Sequence, residues 1–343
     1  MAYHMGKKAY AGMSLQTNAA TPSASLNCFI PVTELPTLKG TAEKKWFQEY
    51  RKSSAEYNRF AVTRISAEGN INCPAYPSGG LEHLLYGVFG SMTSTALSST
   101  ACYQHTYVID DTPPIFTVGK GYDDQNMEMF SDVIIGSLDI NYTAGSEITL
   151  SAQCMGRPIG IGTGEASPSY GTERALSFTD VGASLGGTAN CDITSLSVKI
   201  DRGVKSLRTM CASAGLTDNV QYISTTKVEG NIEMFFQDYT EYKYWLGSSS
   251  ATTFSADASV STMGRVLTIT ATGQSLGTTP AYSNLFTLSM PQIVYDDADI
   301  SAPWDDRMKI SFQFKGSYDS AEGAGAEVVT ATVRSLLSSV AAP

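Results

Sequence analysis

The feature that most constrains this chain is that it repeats itself. Glu68-Gly69-Asn70-Ile71 recurs as Glu229-Gly230-Asn231-Ile232, 161 positions later. Each copy follows a strand-like segment, residues 60–65 or 220–228, and each precedes a short helical pattern. Residues 80–89 place Leu81, Leu84, Leu85 and Val88 at helical spacing and stop at Gly90-Ser91; residues 239–246 stop at Gly247-Ser248. Further along, Ser151-x-Gln153-x-x-Gly156 recurs as Ser311-x-Gln313-x-x-Gly316, offset by 160. Four features in one order at a nearly constant offset point to a tandem duplication, and 343 residues is the length of about two domains. The boundary is expected in the Gly/Ser/Pro-rich stretch 156–170, which reads as a linker and divides the chain into 1–165 and 166–343.

Most of the remaining pattern is β. Residues 133–142, 148–155, 195–200, 266–272, 285–290 and 310–314 are short, rich in β-branched and aromatic side chains, often alternating, and bounded by Gly, Pro or Asp. The halves differ at one place. Residues 36–60 hold six basic and three acidic residues, a net charge of +3 in a chain of net −10, so the rest carries −13. This stretch reads either as a solvated helical excursion or as an exposed arm reaching a neighbouring subunit, with Trp46, Phe47 and Tyr50 as anchors. Its counterpart around residues 207–221 reads as shorter and nearly uncharged.

Composition excludes several classes. Charged residues make up 16% against roughly 25% in an average soluble protein. Apolar residues at 42% argue against disorder, and the acidic balance argues against a protein that grips phosphates. No apolar run approaches the 18 or so residues of a membrane helix. Sparse charge fits a Ser/Thr-rich β-protein, or a chain whose surface is mostly interface. Residues 1–27 lack the apolar core of a signal peptide. Cys28, Cys73, Cys102, Cys154, Cys191 and Cys211 show no CxxC spacing and read as free, mostly buried thiols in a cytosolic chain. The sequon Asn141-Tyr142-Thr143 reads as accidental.

Catalytic patterns are lacking. His4, His83 and His105 form no metal spacing, and there is no GxSxG elbow. Gly160-Ile161-Gly162-Thr163-Gly164 fits neither phosphate-loop pattern and reads as linker. Carboxylates cluster twice: Asp110-Asp111, Asp123-Asp124, Glu128 and Asp132 in one copy, and Asp296, Asp297, Asp299, Asp305 and Asp306 in the other. Solvated turns, a glycosidase pair, a Ca²⁺ loop and an anion-repelling surface are the readings open to them.

Five stretches carry a family likeness over nearly the whole chain. They are Phe29-Ile30-Pro31-Val32-Thr33; LEHLLYGVFGS at 81–91; residues 131–156 with their G-x-L-x-I…G-x-x-I-x-L cadence; 175–202; and 285–316. In these the sequence resembles the tail tube proteins of long-tailed, non-contractile bacteriophages, in their double-domain form. The resemblance implies a mainly β (α+β) fold of two tandem β-sandwich or half-barrel domains, each with one short flanking helix. It implies a structural virion protein, no enzyme and no cofactor, assembled in the host cytoplasm into the virion tail. Trimeric rings of pseudo-six-fold symmetry would stack into a tube around a tape-measure protein, capped by terminator and tip proteins, with DNA passing through unbound. Residues 36–60 match the family's inter-ring arm in position, which makes Lys44, Lys45, Trp46, Phe47, Tyr50, Arg51 and Lys52 expected inter-ring contacts. Asp110, Asp111, Asp123, Asp124, Asp296, Asp297 and Asp299 are the expected acidic lumen. Rival expectations are the inner tube of a contractile or type VI-like injection system and a β-sandwich carbohydrate-binding or hydrolase module.

Overall fold

The structure is a computed structural model describing residues 8–19, 21–23, 25–48, 56–57, 59–97, 102–123, 125–165, 167–207, 220–222, 225–256, 258–277, 281–318 and 327–338. The first half contains β1 (Tyr10–Leu15), β2 (Cys28–Ile30), β3 (Lys39–Phe47), β4 (Arg59–Pro74), helix α1 (Glu82–Phe89), β5 (Gly90–Ala96), β6 (Tyr103–Ile109), β7 (Phe116–Gly121), β8 (Asn126–Thr143) and β9 (Thr149–Thr163). The second contains β10 (Val181–Leu185), β11 (Thr188–Asn190), β12 (Ile193–Asp201), β13 (Lys205–Leu207), β14 (Val220–Tyr222), β15 (Lys227–Phe235), α2 (Thr240–Leu246), α3 (Val260–Met263), β16 (Arg265–Ser275), β17 (Ser283–Ser301), β18 (Lys309–Gly316) and β19 (Thr330–Ser335). The fold is mainly β, and every strand pair is antiparallel.

Alternation makes these segments strands. In β16, Leu267, Ile269 and Ala271 point into the core while the threonines between them face outward; β17 alternates likewise from Asn284 to Gln292. Both segments that read as helices are helical, and each ends at a glycine with positive φ, Gly90 (94°) and Gly247 (141°).

The pairing ladders of the two halves follow one plan. Asn70 opposes Gln153, which opposes Ser137; Asn231 opposes Gln313, which opposes Asp297. Both ladders carry a bulge at the same point, between Ile135 and Ser137 and between Tyr295 and Asp297. The β1–β7–β8 ladder corresponds to β10–β16–β17, and β2 pairs with β1 as β11 pairs with β10. Long β9 corresponds to β18 and β19 together, separated by residues 317–329. The recurring glycine has a packing reason. A Cβ on Gly69 would lie 2.4 Å from the Leu38 backbone, and one on Gly230 would lie 2.3 Å from the Ser197 carbonyl, so only hydrogen fits where the neighbouring strand crosses.

Strands β8 and β17 bend between two layers. Their C-terminal parts belong to one continuous sheet in the order β3–β4–β9–β8–β12–β15–β18–β17, which runs through both halves. Their N-terminal parts pair with β7 and β9, or with β16 and β19, to build the second layer. The β5–β6 hairpin leaves its own half and extends the second layer of the other through β6–β19. Between the layers lies one apolar core reaching from Leu38, Ile71 and Phe89 to Phe286, Phe312 and Val333.

Three sequence expectations change. Residues 36–60 are neither helical nor poor in strand: β3 and β4 pair from Lys39–Glu68 out to Phe47–Arg59, as a ribbon projecting beyond the sheet. Exposure on both faces removes the alternation by which a strand is recognised. The counterpart in the second half is not shorter. From the Lys39–Glu68 pair to its equivalent, Lys199–Glu229, the intervening chain is 28 and 29 residues, and β13–β14 form the second ribbon. Residues 156–163, including the glycine-rich stretch, are not linker but the outer part of β9, paired with β8 from Ser131 to Asn126.

Candidate assembly surfaces

The eight-stranded sheet has two unlike faces. Its inner face is apolar and packed. Its outer face is built from rows of directly opposed residues, which lie on the same side of a sheet. One row runs Asn72–Ser151–Asp139–Lys199–Glu229–Lys315, and the next runs Thr149–Asn141–Ser197–Asn231–Gln313–Asp297. Seven carboxylates share this face (Glu68, Asp139, Asp201, Glu229, Glu233, Asp297, Asp299) with five lysines (Lys39, Lys199, Lys227, Lys309, Lys315). The lysines stand among acids. Lys309 Nζ is 2.9 Å from Glu233 and holds that carboxyl below its usual range, and Lys315 Nζ is 2.8 Å from Asp296. Burial raises the Asp139 pKa, and Lys199 opposes the shift.

Inside the chain the halves meet by strand pairing. The C-terminal part of β8 pairs with β12 over seven positions, from Ser137–Asp201 to Thr143–Ser195, with Asp139 opposite Lys199. Arg202, buried to 1% exposure, closes this joint. It donates to the Phe89 carbonyl at 3.2 Å, at the C-terminal end of α1, and to the Asp110 carbonyl. Among the described residues, the two ends of the eight-stranded sheet have no such partner. There β3 pairs only with β4, and the C-terminal part of β17 only with β18.

The flanking helices show the same asymmetry. In α1, seven of eight residues are buried, among them Glu82, His83 and Phe89. Around it, His105 on β6 sits 3.5 Å from Glu82 and 2.8 Å from the Leu337 carbonyl of the second half. Burial pushes Glu82 well above the usual carboxylate range and pulls His83 down to about 4. In α2 no residue is buried. Its neighbourhood is an aromatic surface in which Trp245 lies 5.0 Å from Tyr242 and 4.8 Å from Phe254, whose side chain is 67% exposed.

The expected arm residues Lys44, Lys45, Trp46 and Phe47 lie exposed on the β3–β4 ribbon; Tyr50, Arg51 and Lys52 lie outside the described residues. Trp46 packs against Phe60 (4.9 Å) and Tyr57 (5.8 Å), and Lys44 stands 5.2 Å above the Phe60 ring, so one face of the ribbon is aromatic with a cation at its edge. The expected acids are spread widely. Asp297 and Asp299 are on the polar face. Asp110 and Asp111 are at the β6–β7 turn beside Arg202. Asp123 caps the β7–β8 turn through Gln125 and Asn126, and Asp124 lies outside the described residues. Arg202, Lys39, Ile161 and Phe254 were not singled out by sequence; the signal for Lys39 was its 160-residue offset from Lys199.

Among the described residues no group of three His, Cys, Asp or Glu side chains is placed to hold a metal, and no helix is long and apolar enough to cross a membrane. Cys28, Cys73, Cys102 and Cys154 are free and buried, and Cys191 is exposed. A sequence model of the family described as phage tail tube protein matches residues 21–316. A search of curated proteins finds no match.

Proposed function

Because the chain belongs to the phage tail tube protein family, we propose that it is the repeating subunit of stacked rings, three chains to a ring. The family makes it a structural protein of the virion tail that self-assembles into a tube. In the proposed ring the two halves, residues 1–165 and 166–343, are tandem domains in equivalent places, which gives pseudo-six-fold symmetry. The eight-stranded sheet, both of whose ends are unpaired among the described residues, carries this reading, since an open sheet edge is satisfied by another chain. Three chains contribute 3 × 8 = 24 strands. At a spacing of about 4.8 Å and a tilt of about 40°, such a barrel has a backbone diameter of roughly 45–50 Å.

The polar face would line that channel. Affinity for DNA grows with each phosphate met by a Lys or Arg, with release of counterions. Here each lysine of the face has a carboxylate opposite or beside it, and acids outnumber lysines, so the wall offers a duplex few free cations. The exposed β3–β4 ribbon, with its aromatic face and lysines, is the proposed contact to the next ring. Tape-measure, terminator and tip proteins are the further partners expected of a tail tube. Negative-stain electron microscopy of the purified protein at rising concentration tests the reading. Rings or tubes with a central pore and three-fold symmetry are the expected result; a monomer under all conditions would contradict it.

A further inference from the structure

We propose that the chain joins the next copy of itself through a strand pair whose register it already contains. Residues 37–41 of one chain run antiparallel to residues 297–301 of its neighbour, with Lys39 opposite Asp299 and Leu38 opposite Ile300. The proposal rests on the tail-tube reading and adds to it the residues of the joint.

The register follows from the internal joint. Ser137 and Asp297 occupy one position in the two ladders, each opposite the glutamine of the recurring Ser-x-Gln motif. Thr37 and Ser197 occupy another, since Ser197 opposes Asn231 and the Thr37 amide donates to the Asn70 carbonyl at 2.9 Å. Shifting both strands by 160 turns Asn141–Ser197 into Ser301–Thr37, Ile140–Val198 into Ile300–Leu38, and Asp139–Lys199 into Asp299–Lys39. The aspartate–lysine pair of the internal joint is thus reproduced between chains, with opposite charges on directly opposed residues.

Other observations converge. With Thr37 hydrogen-bonded toward β4, the polar groups of Leu38 point the other way, off the sheet edge. In the single chain Leu38 is fully buried and its carbonyl accepts from Lys120 Nζ at 2.8 Å, so in the proposed joint the Ile300 amide replaces or shares that cover. Pro36 and Pro303, which have no N–H to donate, bound the five-residue pairing and oppose a slip. The second layer agrees. Within the chain, β6 covers β19, where Ala331 is buried opposite Tyr107. The first-half equivalent of Ala331 is Ile161, opposite Glu128 as Ala331 is opposite Leu288, and it is 82% exposed. In the second half, residues 247–264 follow α2 as β5–β6 follow α1 in the first, and they carry the exposed Phe254. Ile161 packs on that segment of the adjoining chain.

Charge reversal and cross-linking of the full chain test the joint. Lys39→Glu and Asp299→Lys should each raise the protein concentration needed for assembly by about fivefold or more, and the double variant should recover most of the loss. Both positions are exposed in the single chain, so circular dichroism should show an unchanged fold. The Lys39→Cys/Asp299→Cys variant should give interchain disulfides on mild oxidation, ending in a closed trimer, whereas Lys39→Cys/Asp297→Cys should cross-link far less. Rings that form with neither cross-linking nor charge dependence would overturn the register. Wild-type protein that never forms rings or tubes would instead overturn the tail-tube reading beneath it.

Discussion

The two flanking helices occupy equivalent places and live in opposite environments. Helix α1 carries Leu84, Leu85, Val88 and Phe89 into the core, with Glu82 and His83 buried beside them, because β8 and the β5–β6 hairpin of its own half enclose it and Arg202 of the second half meets its end. Helix α2 follows the same motif and meets the same turn of its sheet, yet none of its residues is buried. Nothing in the seven residues TEYKYWL forbids burial: four are aromatic or leucine. What differs is the neighbour. Helix α1 has the β5–β6 hairpin over it, whereas α2 is followed by residues 247–264 with the short helix α3 and, among the described residues, no such hairpin. In the proposed ring, the surface that is complete in one copy and bare in the other is where the next chain belongs.

This contrast can be broken by substitution. The largest effect is expected at Phe89→Ala, where loss of a fully buried ring should cost about 3–5 kcal/mol in denaturant unfolding below the assembly concentration. Phe254→Ala, in the loop after the second helix where its exposed ring meets Trp245, should change monomer stability by less than about 0.5 kcal/mol and yet impair assembly. A Phe254→Ala variant that assembles like wild type would remove the loop beside α2 from the interface.

Protonation sharpens the same contrast. Burial holds His83 neutral down to about pH 4, while in the unfolded chain it titrates near 6.5. Its contribution is therefore complete above pH 6.5 and is lost as pH falls toward 4, by up to about 3 kcal/mol. Glu82, kept protonated by burial, acts with the opposite sign: its contribution is present below about 4.5 and declines as pH rises. Unfolding free energies of His83→Gln between pH 4 and 7 should be flatter than those of wild type; an unchanged slope would contradict the assignment.

Smaller effects test where the halves agree and where they part. Gly69→Ala and Gly230→Ala should each cost about 1–3 kcal/mol, by similar amounts, because each new methyl meets the backbone of the adjacent strand. A tolerated change at only one of them would show that the close approach is not shared. Replacing residues 44–62 by a short turn removes, of the strand pairs among the described residues, only those of the ribbon, so the thermal midpoint should shift by a few degrees at most, while ring stacking weakens in electron micrographs. Global loss of circular dichroism would show that the ribbon supports the fold.

Much of this architecture was legible in the sequence. The recurring tetrapeptide marks two ladders of corresponding register, and the alternating strands and glycine-stopped helices lie where their patterns placed them. The β3–β4 ribbon was obscured because Glu43, Lys44, Lys45 and Trp46 are all exposed, so no apolar periodicity survives. Residues 156–163 were obscured for a related reason. The strand leaves Ile159 and Ile161 uncovered within the single chain, and its glycines read as breakers. The buried cation Arg202 has no sequence signature, since its partners are carbonyls of Phe89 and Asp110, far away along the chain.

The central claim is that the second half meets the next chain's first half as the two halves meet each other. An electron cryomicroscopy map of the assembled tube tests it most directly. The expected map has three chains per ring, a pseudo-six-fold wall of 24 strands, and Lys39 opposite Asp299 of the adjoining chain, as Lys199 is opposite Asp139 within one. A map in which β3 and the end of β17 meet solvent, or pair in another register, would contradict it.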